Sequence, residues 1–208
     1  MAKLFIDVWS DYVCPFCYLE LPVLKQVAKE ENVGVRWRAF ELRPEPAPLL
    51  DPQGDYLRRV WEGSVYPMAE RAGIVLRFPP VQPRSRKALE AAEYARAKGH
   101  FDAMHEAIFK AFFEEGRNIN EVNVLLDVAA SVGLNAADLL GSLQTQQYAP
   151  KVIADERTAQ RLGIIAVPAM VLHSTVQPLE AGVLAKGVQS VVELEEQLQQ
   201  LKPRTRGA

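Results

Sequence analysis

Cys14-Pro15-Phe16-Cys17 holds both cysteines of a 208-residue chain, three positions apart. The run before it, Lys3-Leu4-Phe5-Ile6-Asp7-Val8-Trp9, is apolar and rich in β-formers and predicts a strand. The run after it, Tyr18 to Ala28, carries leucines and valines at helical spacing. The pair therefore falls at a strand-to-helix junction. Free backbone N–H groups and the positive end of the helix dipole point at the first sulfur there, which stabilises a thiolate. Pro15 fits the first helical turn, where a missing N–H loses no bond. Two thiols at this spacing beside a βαβ pattern have the form of a redox pair. Cys14, the outer one, would attack a substrate disulfide, and Cys17, one turn deeper, would resolve the mixed disulfide. Three weaker readings compete. A structural disulfide would close too small a loop to stabilise much. A zinc half-site would need two further ligands, and His100, His105 and His173 make no matching pair near the cysteines. Two inert buried thiols in a non-catalytic binding module would only pack.

With 49% hydrophobic residues the chain can bury a full core, as one domain or as one domain carrying a large insertion. A net charge of −2, a pI near 6.0 and scattered basic residues offer no nucleic-acid surface. Met1-Ala2-Lys3 leads straight into the first strand with no apolar leader. No apolar run reaches the about 18 residues of a membrane span. The expectation is a cytoplasmic protein without a membrane partner, in a compartment that favours a cycling cysteine pair over a static disulfide.

Along the chain, the helix begun at Cys14 should run to about Glu31 with a kink at Pro22. A second strand, parallel to the first, follows at Val35 to Phe40. Prolines 44, 46, 48 and 52 mark a loop. Helical patterns then cover Asp55 to Ala72, Ser85 to Lys98 and a segment faced by Phe101, Met104, Ile108 and Phe112. They continue through Glu121 to Val132 with Asn120 as cap, Ala136 to Leu143 with Asn135 as cap, and Tyr148 to Leu162. Ile164 to Leu172 and Val176 to Lys186 read as strands. Val191 to Leu201 reads as a closing helix with Val192, Leu194, Leu198 and Leu201 toward the core. The pattern is β-α-β at the start and β-β-α at the end, with helices between. The two ends must join, because a lone pair of strands is unstable.

This order resembles the DsbA-like thioredoxin-fold oxidoreductases, in particular the cytoplasmic FrnE-type branch. The segments that carry the resemblance are Ser10-Asp11-Tyr12-Val13-Cys14-Pro15-Phe16-Cys17-Tyr18, Ala107 to Gly116 with Asn118-Ile119, and Leu162-Gly163-Ile164-Ile165-Ala166-Val167-Pro168. It implies an α/β, thioredoxin-like fold (βαβ…ββα) with an inserted all-helical domain. Residues 1–42 and 163–201 would form the thioredoxin-like unit, 43–162 the helical insertion that caps the site, and 202–208 a frayed tail. It also implies a cis Val167-Pro168 peptide facing the cysteines. Pro168 has no N–H to bond across to the sulfur, and the Val167 backbone can pair with an extended peptide. Pro168 thus joins Cys14 and Cys17 as catalytic, and Val167, Pro15, Phe16 and Tyr12 are expected to meet substrate. The chain departs from the family at Ala166, where glycine is usual, and at Met170, where an aromatic is frequent and a changed groove is expected.

The implied function is a thiol-disulfide oxidoreductase with no metal and no bound organic cofactor. It would act on protein or peptide thiols and disulfides as a monomer or homodimer. A sister branch, the kappa-class glutathione transferases and hydroxychromene-carboxylate isomerases, usually carries serine near the place of Cys14. The alternative is accordingly a glutathione-dependent transferase or isomerase in which Cys14 activates glutathione as co-substrate. Asp7 could relay a proton to Cys17, but a hydrogen-bonded carboxylate at a strand end is the plainer reading. Asp11 is expected to order the loop, and His100 and His105 to be satisfied structural histidines.

Overall fold

The computed structural model describes residues 3–202, so the sequence-assigned tail lies outside the described residues from 203 onward. Four strands form one sheet in the order β2-β1-β3-β4: β1 Leu4–Ser10, β2 Gly34–Ala39, β3 Ala169–Ser174 and β4 Val183–Lys186. β1 and β2 are parallel, and β3 runs antiparallel to both β1 and β4. The two ends of the chain therefore meet side by side at the centre of the sheet. Between β1 and β2 lies α1 (Pro15–Glu30), and after β4 comes α9 (Val191–Leu201). Between β2 and β3 run α2 (Asp55–Val60), α3 (Tyr66–Ala72), α4 (Arg86–Ala97), α5 (Phe101–Phe113), α6 (Val122–Ser131), α7 (Ala136–Gln144) and α8 (Ala149–Arg161). A π-helical turn, Trp61–Val65, joins α2 to α3.

Alternation along the strands gives the sheet two different faces. Ile6, Val8, Leu172 and Met170 are fully buried on the face that α1 and α9 cover. The opposite face carries Asp7, Trp9, Arg38 and His173 and receives α8. That second face is held by charge. Arg38 donates to Asp7 at 2.6 Å and to Asp155 of α8 at 3.1 Å. His173 Nε2 lies 2.6 Å from the other Asp7 oxygen. Asp155 also accepts from Lys151 at 2.7 Å and from the Ala39 N–H at 3.3 Å, and its backbone oxygen takes the Trp9 indole N–H. Removing this carboxylate leaves the half-buried Arg38 with one partner fewer and the Ala39 N–H with none. Asp155→Ala is expected to cost about 2 kcal/mol, read as a lower denaturant midpoint at unchanged slope; an unshifted midpoint would show that α8 docks by packing alone.

The elements depart from the sequence pattern in several places. The third strand begins only at Ala169, after the proline, and Ile164 to Pro168 approach it as loop. Pro168 has no N–H to enter the ladder. The stretch from Val176 supplies only the short β4, preceded by a 3₁₀ turn at Leu179–Ala181. Gly182 packs so closely there that a Cβ would sit 2.7 Å from the Leu172 carbonyl oxygen. Asn120 does not cap α6; Glu121 holds the cap position without a side-chain bond, and Asn118 bonds the Asn120 N–H instead. Asn135 does cap α7, accepting from Ala137 and Asp138. In α9, Leu194 and Leu198 are fully buried, whereas Val192 is 61% exposed because it points off their shared stripe. The bounds of α1 agree with expectation to within a residue, Pro15–Glu30 with Pro22 inside the helix.

Candidate active site

β1 ends at Ser10, and the loop turns at once into α1. Asp11 fixes that turn. Its backbone carbonyl accepts from Cys14 N at 3.1 Å, and its carboxylate accepts from Leu42 N at 2.7 Å and Val13 N at 3.4 Å. The carboxylate thus ties the loop before α1 to the chain leaving β2, as the sequence suggested. Burial pushes the Asp11 carboxyl up to about 6, against the opposing pull of the Leu42, Ser85 and Val13 hydrogen bonds.

Cys14 occupies the N-cap of α1 with extended backbone, and Pro15 opens the helix. Both cysteines are free thiols. Cys14 is 4% exposed and borders a cleft of about 460 Å³, while Cys17 is completely enclosed. The two side chains are within hydrogen-bonding reach, and Cys17 is held well above the ordinary thiol range by burial first and by Cys14 second. The Ser10 hydroxyl and the Asp11 backbone N–H act in the opposite direction on its sulfur. The Cys14 thiol donates to the Val167 carbonyl at 3.4 Å. The Val167–Pro168 peptide is cis, as is Glu45–Pro46.

The cleft wall beside Cys14 includes Pro15, Phe16, Ala166 and Val167. The facing wall includes Leu49, Tyr56, Trp61 and Pro83, with Arg43 as its cation. Leu49, Tyr56 and Ile165 expose 44%, 57% and 87% of their surface, so the cleft presents apolar side chains to solvent beside the polar Arg43 and Gln82. The proline-rich segment after β2 read as a plain loop in the sequence; no local periodicity linked it to Cys14, and only the fold brings it there.

Tyr12 is not a cleft residue. It is 2% exposed and turned into the core, where its hydroxyl lies 2.7 Å from His105 Nδ1 and its ring packs on Phe109. The backbone bond between Asp11 and Cys14 makes a tight turn that sends Val13, not Tyr12, to the cleft. His105 is satisfied at one nitrogen only: Nε2 is buried without a partner, and burial holds the ring neutral, down to about 3. His100 bonds the Val132 carbonyl at 3.1 Å. Met170 is fully buried in β3 beneath α1 and α9 and does not shape the cleft. Asp7 lies on the sheet face away from α1, occupied by Arg38 and His173, and is not a relay to Cys17. Among the described residues no group of three or more His, Cys, Asp or Glu is arranged to hold a metal ion, and no helix is long and apolar enough to cross a membrane.

A four-stranded mixed sheet with a dithiol at the start of its first helix and an X-Pro bond beside it defines a thioredoxin-fold protein of the DsbA type. The chain belongs to the DSBA-like thioredoxin domain family, whose pattern it matches over residues 5–199. It is 37% identical over 183 residues to the uncharacterized protein YwbO of Bacillus subtilis, a match covering 85% of this chain and 90% of that one. It superposes on the probable DsbA oxidoreductase of Streptomyces coelicolor with a TM-score of 0.80 at 22% identity, over 99% of this chain and 94% of that one. With the cytosolic disulfide reductase DsbM from Pseudomonas aeruginosa the TM-score is 0.70 at 20% identity, over 94% and 99%. DsbM with GSH gives 0.67 at 22%, over the same shares. At these identities the structural likenesses speak for the fold.

Proposed function

We propose that this chain is a thiol-disulfide oxidoreductase working through Cys14 and Cys17. The observation that carries the reading is the asymmetry of the pair: one thiol caps a helix at a cleft, and the other lies behind it, enclosed and within reach. The Cys14 thiolate attacks a substrate disulfide, forming a mixed disulfide and releasing one substrate thiolate. Cys17 then attacks Cys14 Sγ; the bond between the cysteines forms, the bond to substrate breaks, and the second substrate thiol leaves. The substrate is reduced by two electrons and the protein is oxidised by two; run backward, the same steps oxidise a dithiol. The chemistry needs no bound metal or organic cofactor.

Val167 and Pro168 position the partner. Pro168 offers no N–H to the sulfur, and the Val167 carbonyl, which now takes the Cys14 proton, is released for strand-like pairing once Cys14 ionises. Pro15 and Phe16 line the cleft beside Cys14, and its exposed apolar side chains suit a peptide. DsbM with GSH supports glutathione as a second partner, and the cytosolic setting of that enzyme supports a cytoplasmic one here. The presence of both thiols favours exchange over a glutathione-dependent isomerase, which needs a single nucleophile.

Cys17→Ser tests the roles. The variant is expected to accumulate mixed disulfides through Cys14, visible as slower-migrating bands that collapse with dithiothreitol, while turnover falls by about 10²-fold or more. Trapping nothing while the wild type turns over would reverse the assignment.

A further inference from the structure

We propose that Arg43 selects the substrate, its guanidinium holding a carboxylate on the disulfide that Cys14 attacks. The inference rests on the exchange chemistry proposed above and narrows its substrates to an acidic class. Arg43 belongs to the chain leaving β2 and lines the same cleft as Cys14. It is the one cation among the residues that line the cleft, and none of them is a carboxylate. Its one hydrogen bond among the described residues is made by the backbone, where its carbonyl accepts from Arg84. Arg43 is half-buried, and its guanidinium is left without a protein partner among the described residues.

The acids nearest to it in the chain are occupied elsewhere. Glu41 accepts from Arg86 at 2.6 Å. Glu45 faces Arg84 at 3.9 Å and stands outside the cleft. Asp11 accepts from the Leu42 and Val13 N–H groups. Asp51 accepts from the Gln53 N–H at 2.9 Å, and Asp55 lies 3.8 Å from Arg58. An unpaired arginine on an open surface is ordinary, because water serves its donors. Arg43 differs in two respects. Its surroundings are apolar, for Leu42, Leu50 and Pro83 line the cleft with it. Its backbone is also fixed on both sides, by the Leu42 N–H on Asp11 at 2.7 Å and by its own carbonyl on Arg84. The side chain thus starts from a held point, which lowers the ordering cost of binding.

A guanidinium offers two parallel N–H donors that match a carboxylate, and it is only weakly hydrated. Apolar walls strengthen such a pair by excluding water. A cleft of about 460 Å³ takes a small disulfide or a few residues of a peptide. An acidic disulfide meets the Cys14 thiolate as like charge, and Arg43 offsets that repulsion while it orients the substrate. The carboxylate takes no part in the exchange. The Cys14–substrate bond forms, the substrate S–S bond breaks, and the leaving sulfur carries off the electron pair as a thiolate.

The test uses the reduced full-length protein and two disulfides of similar length: dithiodipropionate, a dianion, and the neutral bis(hydroxyethyl) disulfide. Acid quenching, alkylation and mass spectrometry give the rate at which each consumes the protein thiols. In Arg43→Gln the ratio of the anionic to the neutral rate should fall about tenfold from its wild-type value, and Arg43→Lys should keep part of it. Raising salt to about 1 M should shrink the ratio more in wild type than in Arg43→Gln. Disulfide-linked peptides with Glu or Gln beside the cysteine identify the source of the carboxylate. A Glu preference that Arg43→Gln removes assigns an acidic peptide; a preference confined to the small disulfides assigns a small acidic disulfide. Equal slowing of both small disulfides in Arg43→Gln would give the cation to the thiolate alone and overturn the proposal, as would an unchanged ratio. If wild-type protein is oxidised by none of these disulfides, the exchange chemistry itself fails and the selection with it.

Discussion

Cys14→Ser protein should exchange no disulfide, its rate in insulin reduction by dithiothreitol falling by at least about 10³-fold, while the fold is retained. Serine can still cap α1, and its hydroxyl can donate to the Val167 carbonyl as the thiol does at 3.4 Å. The stability change should therefore stay within about 1 kcal/mol. What serine does not supply is the anion. A hydroxyl is far less acidic and less nucleophilic than a thiol, so the first bond to substrate sulfur never forms. Cys17 cannot substitute, being fully enclosed and held above the ordinary thiol range. The pairing of a collapsed rate with an unchanged melt separates loss of the nucleophile from loss of structure. A variant that keeps a tenth of the wild-type rate would place the nucleophile elsewhere.

Local chemistry explains which parts of this molecule were legible in its sequence. The C-P-F-C junction is written in adjacent residues: a β-rich run, a proline suited to a first helical turn, then apolar residues at helical spacing. Asn135 announced its cap for the same reason, since an Asn side chain reaches N–H groups two and three residues on. What stayed hidden depends on partners distant in sequence. Tyr12 read as a rim residue because it neighbours the motif; its true partner, His105, lies on α5. Asp155 carried no signal in an amphipathic helix, yet it joins α8 to β2 through Arg38.

Glu20→Gln should remove a large share of the pH dependence of stability between about pH 5 and about pH 8. Glu20 lies one turn beyond Cys17 on α1 and is fully buried. One carboxyl oxygen accepts from Gln189 N at 2.9 Å, just before α9, and the other has no partner. Burial pushes the carboxyl from 4.5 up to about 8, with the Gln189 N–H pulling it down and Glu193 adding to the rise. Because the folded value lies above the unfolded one, the folded protein binds more protons between 4.5 and about 8. Stability is thus fullest below the unfolded value and falls as pH rises through this window, by about 5 kcal/mol. Glutamine keeps an oxygen for Gln189 N–H and never ionises. The variant should match wild type near about pH 5 and exceed it by most of that amount above about pH 8. Asp11, raised from 3.8 to about 6, and Glu156, raised from 4.5 to about 7, have the same sign, so part of the slope should persist in the variant. Urea unfolding across the range measures both. Equal slopes in the two proteins would mean that Glu20 ionises at no penalty. In that case, the contact with Gln189 would fasten α1 to the approach to α9 as a charged anchor rather than a neutral one.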